Sequence, residues 1–139
     1  MRLRRLAVAG AITIATAGSG LLTTTPASAS AERLAESCAN GYACLFYFNN
    51  YTGAIYKQWS SDPNYGNSVF VASSATNGDS GVGRLVRNNV RSVDNWDLNN
   101  AFTIYAGKNY QGAEQRIAAG GEANLITAVA DKNESGRFG

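Results

Sequence analysis

Little in this sequence is equipped for covalent chemistry. Gly78-Asp79-Ser80-Gly81 sets a hydroxyl in a glycine-flanked turn, a setting that suits an activated serine nucleophile. Such a serine relies on a positioned base, most often an imidazole, and the chain contains no histidine, so the tetrapeptide is read as a turn. The same absence excludes the usual hydrolytic zinc sites and most acid–base enzymes. Paired carboxylates would serve glycoside hydrolysis, yet Asp62, Asp79, Asp94, Asp97, Glu114 and Glu122 are scattered and read as surface or turn residues. Gly81-Val82-Gly83 lacks the third glycine and the strand-to-helix setting of a dinucleotide loop. The expected protein is not an enzyme.

Cys38 and Cys44 are the only cysteines, and their redox setting is read from the front of the chain. Arg2, Arg4 and Arg5 precede an apolar run from Leu6 to Leu22, and Pro26 precedes Ala27-Ser28-Ala29, a small-x-small cleavage pattern. Residues 1–29 are therefore expected to be a secretory signal peptide, and the protein to be secreted and extracellular. Glycine, serine and threonine interrupt the apolar run too often for a membrane span. In an oxidising compartment Cys38 and Cys44 are expected to close a short disulfide loop. A redox pair would need closer spacing, and a structural zinc more ligands. Without its signal the chain holds nine Lys and Arg against ten Asp and Glu, a formal −1, and no basic run. That balance offers no footprint for nucleic acid or for an anionic membrane.

The elements that must carry any site are short strands. Leu45–Phe48, Ile55–Trp59, Val69–Val71 and Ala101–Tyr105 are rich in β-branched and aromatic residues, and Asn-Asn, Asn-Gly-Asp and Gly-Gly turns punctuate the chain. An all-β sandwich or barrel is expected, with at most one or two helical turns between Asn124 and Lys132. Trp59 and Trp96 are expected in the core, the alternative being that they and the tyrosines line a carbohydrate or peptide groove. Residues 30–37 read as a solvated lead. Residues 60–83, dense in Ser, Asn, Asp and Gly, read as a long excursion from the domain.

One pattern occurs twice: Phe46, Tyr51, Gly53 and Ala54 recur in spacing as Tyr105, Tyr110, Gly112 and Ala113. Each copy describes a tight hairpin in which the tyrosine folds over the bend onto the first aromatic, and the glycine supplies a backbone geometry that a Cβ would penalise. A second signature, Asn88-Asn89-Val90-Arg91-Ser92, recurs in degraded form as Asp131-Lys132-Asn133-Glu134-Ser135. On these motifs the chain resembles the βγ-crystallin superfamily. The resemblance implies a two-sheet Greek-key sandwich in one domain over residues 38–139, with motif one at 38–97 and motif two at 98–139. Gly53 to Ser92 spans 39 positions and Gly112 to Ser135 spans 23, so motif one carries 16 extra positions, placed within 60–83.

The leader, the Cys-x5-Cys loop and the immediate Leu45-Phe46-Tyr47 strand resemble one branch of that superfamily, the secreted bacterial metalloprotease inhibitors of peptidase inhibitor family thirty-six. This implies a monomeric inhibitor of a secreted protease that inserts an exposed loop and requires no cofactor. Inhibitory relatives brace that loop with a second disulfide, whereas this chain has cysteines for one. The excursion at 60–83 is the candidate loop, with Phe70 and Val71 as apolar anchors. The superfamily also implies calcium at Asn88, Asn89 and Ser92 and at Asp131 and Ser135, where oxygen donors suit a hard cation, although Lys132 occupies the second copy. The competing expectation is a structural or binding module at the cell envelope.

Overall fold

A short strand that alternates apolar and polar residues buries one face only, so such strands are stable when two sheets stack. The computed structural model, which describes residues 37–74 and 78–139, contains two stacked sheets. The expected leader and all of the lead except Ser37 lie outside the described residues. The strands are β1 (Ala43–Phe46), β2 (Ile55–Gln58), β3 (Ser92–Asn95), β4 (Phe102–Gly107), β5 (Gln111–Ile117), β6 (Glu122–Asn124) and β7 (Ser135–Phe138). One sheet has the order β2-β1-β3-β6 and the other β5-β4-β7, and every pairing is antiparallel.

The two motifs exchange segments. β6 belongs to the second motif but pairs with β3 of the first, Val93 opposite Ala123. In return Asp62 of the first motif bridges Gly136 of β7, with N–H···O distances of 2.8 and 3.0 Å. Ala43, Leu45 and Val93 from one sheet and Phe102, Ile104 and Ile117 from the other meet in a single core, closed by Val86, Val90, Leu125 and Val129.

The described part of the 60–83 excursion is largely exposed but is anchored in the core at Tyr65 and Phe70. Tyr65 is completely buried, and its hydroxyl donates to Gln58 Oε1 at 2.9 Å. Gln58 Nε2 in turn donates to the carbonyls of Ser60 and Gly136, both at 2.8 Å. Burial pushes the Tyr65 phenol well above its ordinary pKa, so the group stays neutral and donates. Gly136 admits this packing because a Cβ there would overlap the Tyr65 hydroxyl and lie 2.6 Å from Phe102 Cζ.

The expected placement of the tryptophans is corrected. Trp59 is 74% exposed and Trp96 46%, because each lies just past the end of its strand, where the inward positions are taken by Gln58 and Asn95. Between Asn124 and Lys132 the chain makes turns, held by one α-type bond from Ala130 N–H to the Ile126 carbonyl at 2.9 Å and by tighter bonds from Val129 N–H to Ile126 and from Lys132 N–H to Val129, within the one or two turns expected.

Candidate functional site

The duplicated motif builds two equivalent clamps. Phe46 and Tyr51 meet edge to face at 6.1 Å, and Tyr105 and Tyr110 at 5.8 Å. The backbone is left-handed at Asn50 and Tyr51 (φ 57° and 59°) and again at Asn109 and Tyr110 (55° and 61°), and Gly53 and Gly112 follow at 81° and 85°. Each folded hairpin is held by a serine from the second signature. Ser92 Oγ accepts the Tyr51 N–H at 3.0 Å and donates to the Phe48 carbonyl at 2.6 Å; Ser135 Oγ accepts the Tyr110 N–H at 3.1 Å and donates to the Gly107 carbonyl at 2.6 Å. The loops before the serines also cross-link reciprocally, Asn88 N–H to the Asn133 carbonyl at 2.7 Å and Asp131 N–H to the Val90 carbonyl at 3.1 Å. Cys38 and Cys44 are joined as a disulfide.

On this frame the insertion forms a braced ribbon. Phe70 N–H donates to the Arg84 carbonyl at 2.9 Å, Gly83 N–H to Phe70 at 2.9 Å and Val86 N–H to Ser68 at 2.8 Å. The ribbon is fixed to the edge of the first sheet by a reciprocal pair between Ile55 and Val71, at 3.0 and 2.9 Å. Alternation along the ribbon separates the two expected anchors. Phe70 turns inward, 1% exposed, with its ring 5.7 Å from that of Tyr47, so it offers no surface to a partner. Val69, Val71 and Leu85 point outward at 42%, 38% and 38% exposure. Sequence reasoning missed Ser73, which is buried and donates to the carbonyls of Gly53 at 2.8 Å and Gly78 at 2.9 Å, tying Gly78 to the hairpin at Gly53. Nothing distinguishes Ser73 in sequence from its neighbour Ser74. Ser80 sits in an exposed turn and contributes its carbonyl to Ala54 N–H at 2.8 Å.

A family model for peptidase inhibitor family I36 matches residues 31–117, which take in the disulfide loop, the insertion and the Asn88–Ser92 loop. The chain belongs to peptidase inhibitor family I36. A family of inhibitors implies a protease partner and no turnover chemistry of its own. A comparison with curated proteins found no match. Among solved structures, one from work on the evolution of the eye lens βγ-crystallin domain fold is 16% identical, covers 76% of this chain and 92% of that chain, and superposes with a TM-score of 0.57. A βγ-crystallin from an archaeon is 15% identical over 71% of this chain and 98% of its own, with a TM-score of 0.48. At such identities the likeness concerns the fold, and this family I36 member has the two-sheet βγ-crystallin architecture.

The residues expected to hold calcium are already engaged. Asp131 forms an ion pair with Arg91 at 2.9 Å, and the hydrogen bonding of the Arg91 guanidinium to that carboxylate raises its pKa. Asn89 Nδ2 donates to the carbonyls of Leu85 and Arg87 at 3.0 and 3.1 Å. The Asn88 amide, oriented to satisfy its neighbours, faces the carbonyls of Lys132 and Asn133. Ser92 and Ser135 are spent on the hairpin clamps. Among the described residues no three Cys, Asp or Glu side chains gather as a metal site would require. These residues do not fit a calcium ion, because each loop carries a fixed positive charge, Arg91 or Lys132, where a cation would need carboxylates.

Proposed function

We propose that this family I36 protein is exported and inhibits an extracellular metalloprotease, one protease per chain, by presenting the 60–83 insertion to the cleft. The supporting observation is the brace. A standard inhibitor must hold its contact segment rigid in the free state, since ordering a loop on binding consumes affinity. In place of the second disulfide of its relatives, this chain supports the insertion with buried Tyr65 and Phe70, the Ile55–Val71 pair and the bifurcated Ser73 hydroxyl. Val69 and Val71 are the apolar contacts this arrangement leaves to solvent, with Leu85 beside them on the facing side of the ribbon.

The test is the residual activity of a thermolysin-like metalloprotease titrated with the protein. Activity should fall stoichiometrically, and full activity at large molar excess would overturn the reading. Val71→Asp should weaken inhibition with little change in thermal stability. Ser73→Ala should also weaken it by releasing Gly78 from the hairpin at Gly53, and an unchanged inhibition constant in both variants would remove the insertion from the contact. The reading requires no cofactor: calcium titration should release no heat at millimolar ion, and a saturable heat would contradict the poor fit of the two loops.

A further inference from the structure

The outer face of the first sheet carries an arrangement that the fold does not demand. Asp94 of β3 and Glu122 of β6 are cross-strand partners, so two carboxylates stand side by side on one face, an unfavourable placement in itself. Among the described residues neither carboxylate has an ion pair. Asp94 accepts the indole N–H of Trp96 at 2.6 Å, which fixes the orientation of a ring that is 46% exposed. Beside that ring lies a groove of about 330 Å³ lined by Asp94, Asn95, Trp96, Leu98, Gly120 and Glu122. The field there is negative enough to act on the corner tyrosine: burial raises the pKa of the Tyr51 phenol, and Glu122 and then Asp94 raise it further.

The second motif provides an internal control. The residue two positions past the clamping serine is Asp94 in the first motif and Arg137 in the second. Arg137 places its guanidinium 5.9 Å from the ring centre of Tyr110, so the second half covers its own corner aromatic with its own cation. The first half reverses the charge at this position, and its described ring-stacked cations sit over other rings, Lys57 5.3 Å from the centre of Tyr42 and Arg91 6.0 Å from that of Phe48, so neither is placed over Tyr51.

We propose that the groove beside Trp96 binds a cationic side chain, arginine or lysine, presented by a protein partner, with the cation on the indole face between Asp94 and Glu122. A groove of this size suits one side chain, an exposed indole is the strongest aromatic acceptor for a cation, and the two carboxylates relieve their mutual repulsion by sharing one positive charge. The site lies at the β6 edge of the sheet, whereas the inhibitory ribbon is attached at the β2 edge; Ser74 of the insertion lines a neighbouring groove with Asp94 and Trp96, and binding of a free arginine probe tests the site apart from protease inhibition.

The experiment uses Trp59→Phe, which leaves Trp96 as the sole indole and alters a residue that is mostly exposed. Trp96 emission is followed while N-acetyl-arginine methylamide is added, alongside its neutral citrulline counterpart. A saturable change with the arginine probe alone is expected. Asp94→Asn, which keeps an oxygen for the indole N–H, and Glu122→Gln should each weaken binding about tenfold, and added salt should weaken it further. An equal response to citrulline, a response that survives both substitutions, or none at the highest soluble concentration would overturn the proposal. Displacement of the arginine probe by calcium chloride, with the same emission change, would also overturn it by making the groove a metal site.

Discussion

The two motifs share a backbone plan down to individual hydrogen bonds, and they differ in what stands one residue past each clamping serine. In the first motif that residue is Val93, a core side chain; in the second it is Gly136, over which Tyr65 lies. The insertion of the first motif therefore supplies, through Tyr65, volume that the second motif leaves open. Added chain length has contributed to the core, where composition alone suggested an excursion from the domain. The difference teaches that an insertion in a repeated scaffold can be held by emptying the equivalent position of the other repeat.

This comparison can be broken most severely at Gly136. Gly136→Ala should cost about 3 kcal/mol or more in urea denaturation, since the new methyl overlaps Tyr65 and Phe102 and a packed core cannot yield. A loss under about 1 kcal/mol would mean that Tyr65 is not locked there. Next is the Cys38–Cys44 disulfide, which has no counterpart because Thr103 occupies the position equivalent to Cys44. Replacing both cysteines with serine should lower stability by about 2 kcal/mol through unfolded-state entropy. The serine clamps probe the likeness itself. Ser92→Ala and Ser135→Ala each strand a backbone N–H and a carbonyl, so similar losses of about 1 to 2 kcal/mol are expected, and a marked inequality would show that the clamps are not equivalent. The smallest effect belongs to the Arg91–Asp131 pair, with both side chains 44% exposed. Arg91→Ala should cost less than about 1 kcal/mol, and the difference should vanish in high salt.

What the sequence disclosed follows from where its physical signals are local. The corner motif is local: an aromatic, a tyrosine and a glycine at fixed spacing announce a hairpin, and β1, β2 and β4 carry the apolar side chains that mark strands. β3, β5, β6 and β7 do not. β5 reads Gln111-Gly112-Ala113-Glu114-Gln115-Arg116-Ile117 and β6 only Glu122-Ala123-Asn124. They are strands because the sheet offers them partners, and tertiary pairing outweighs weak intrinsic preference. The exposure of the tryptophans is hidden from the sequence for a related reason, since a strand's end decides whether the next large ring turns inward, and a boundary shifted by one residue reverses the answer. The ribbon's inward Phe70 and outward Val71 became distinguishable only once the pairing with residues 83–86 fixed which face met the core. Ser73 and the Asp94–Glu122 juxtaposition depend on residues far apart in sequence, and no local pattern encodes them.

The exchange of segments between the motifs bears on how the molecule survives its proposed target. β2 is hydrogen-bonded to β1, β1 to β3, β3 to β6, and Asp62 to Gly136, so the chain before residue 74 and the chain after residue 78 are knitted across both sheets. A protease that cleaved within the tip would hold two pieces with no route to separate short of global unfolding. The nicked molecule should remain folded, with Ser73 still bonding Gly53 and Gly78 on either side of the cut.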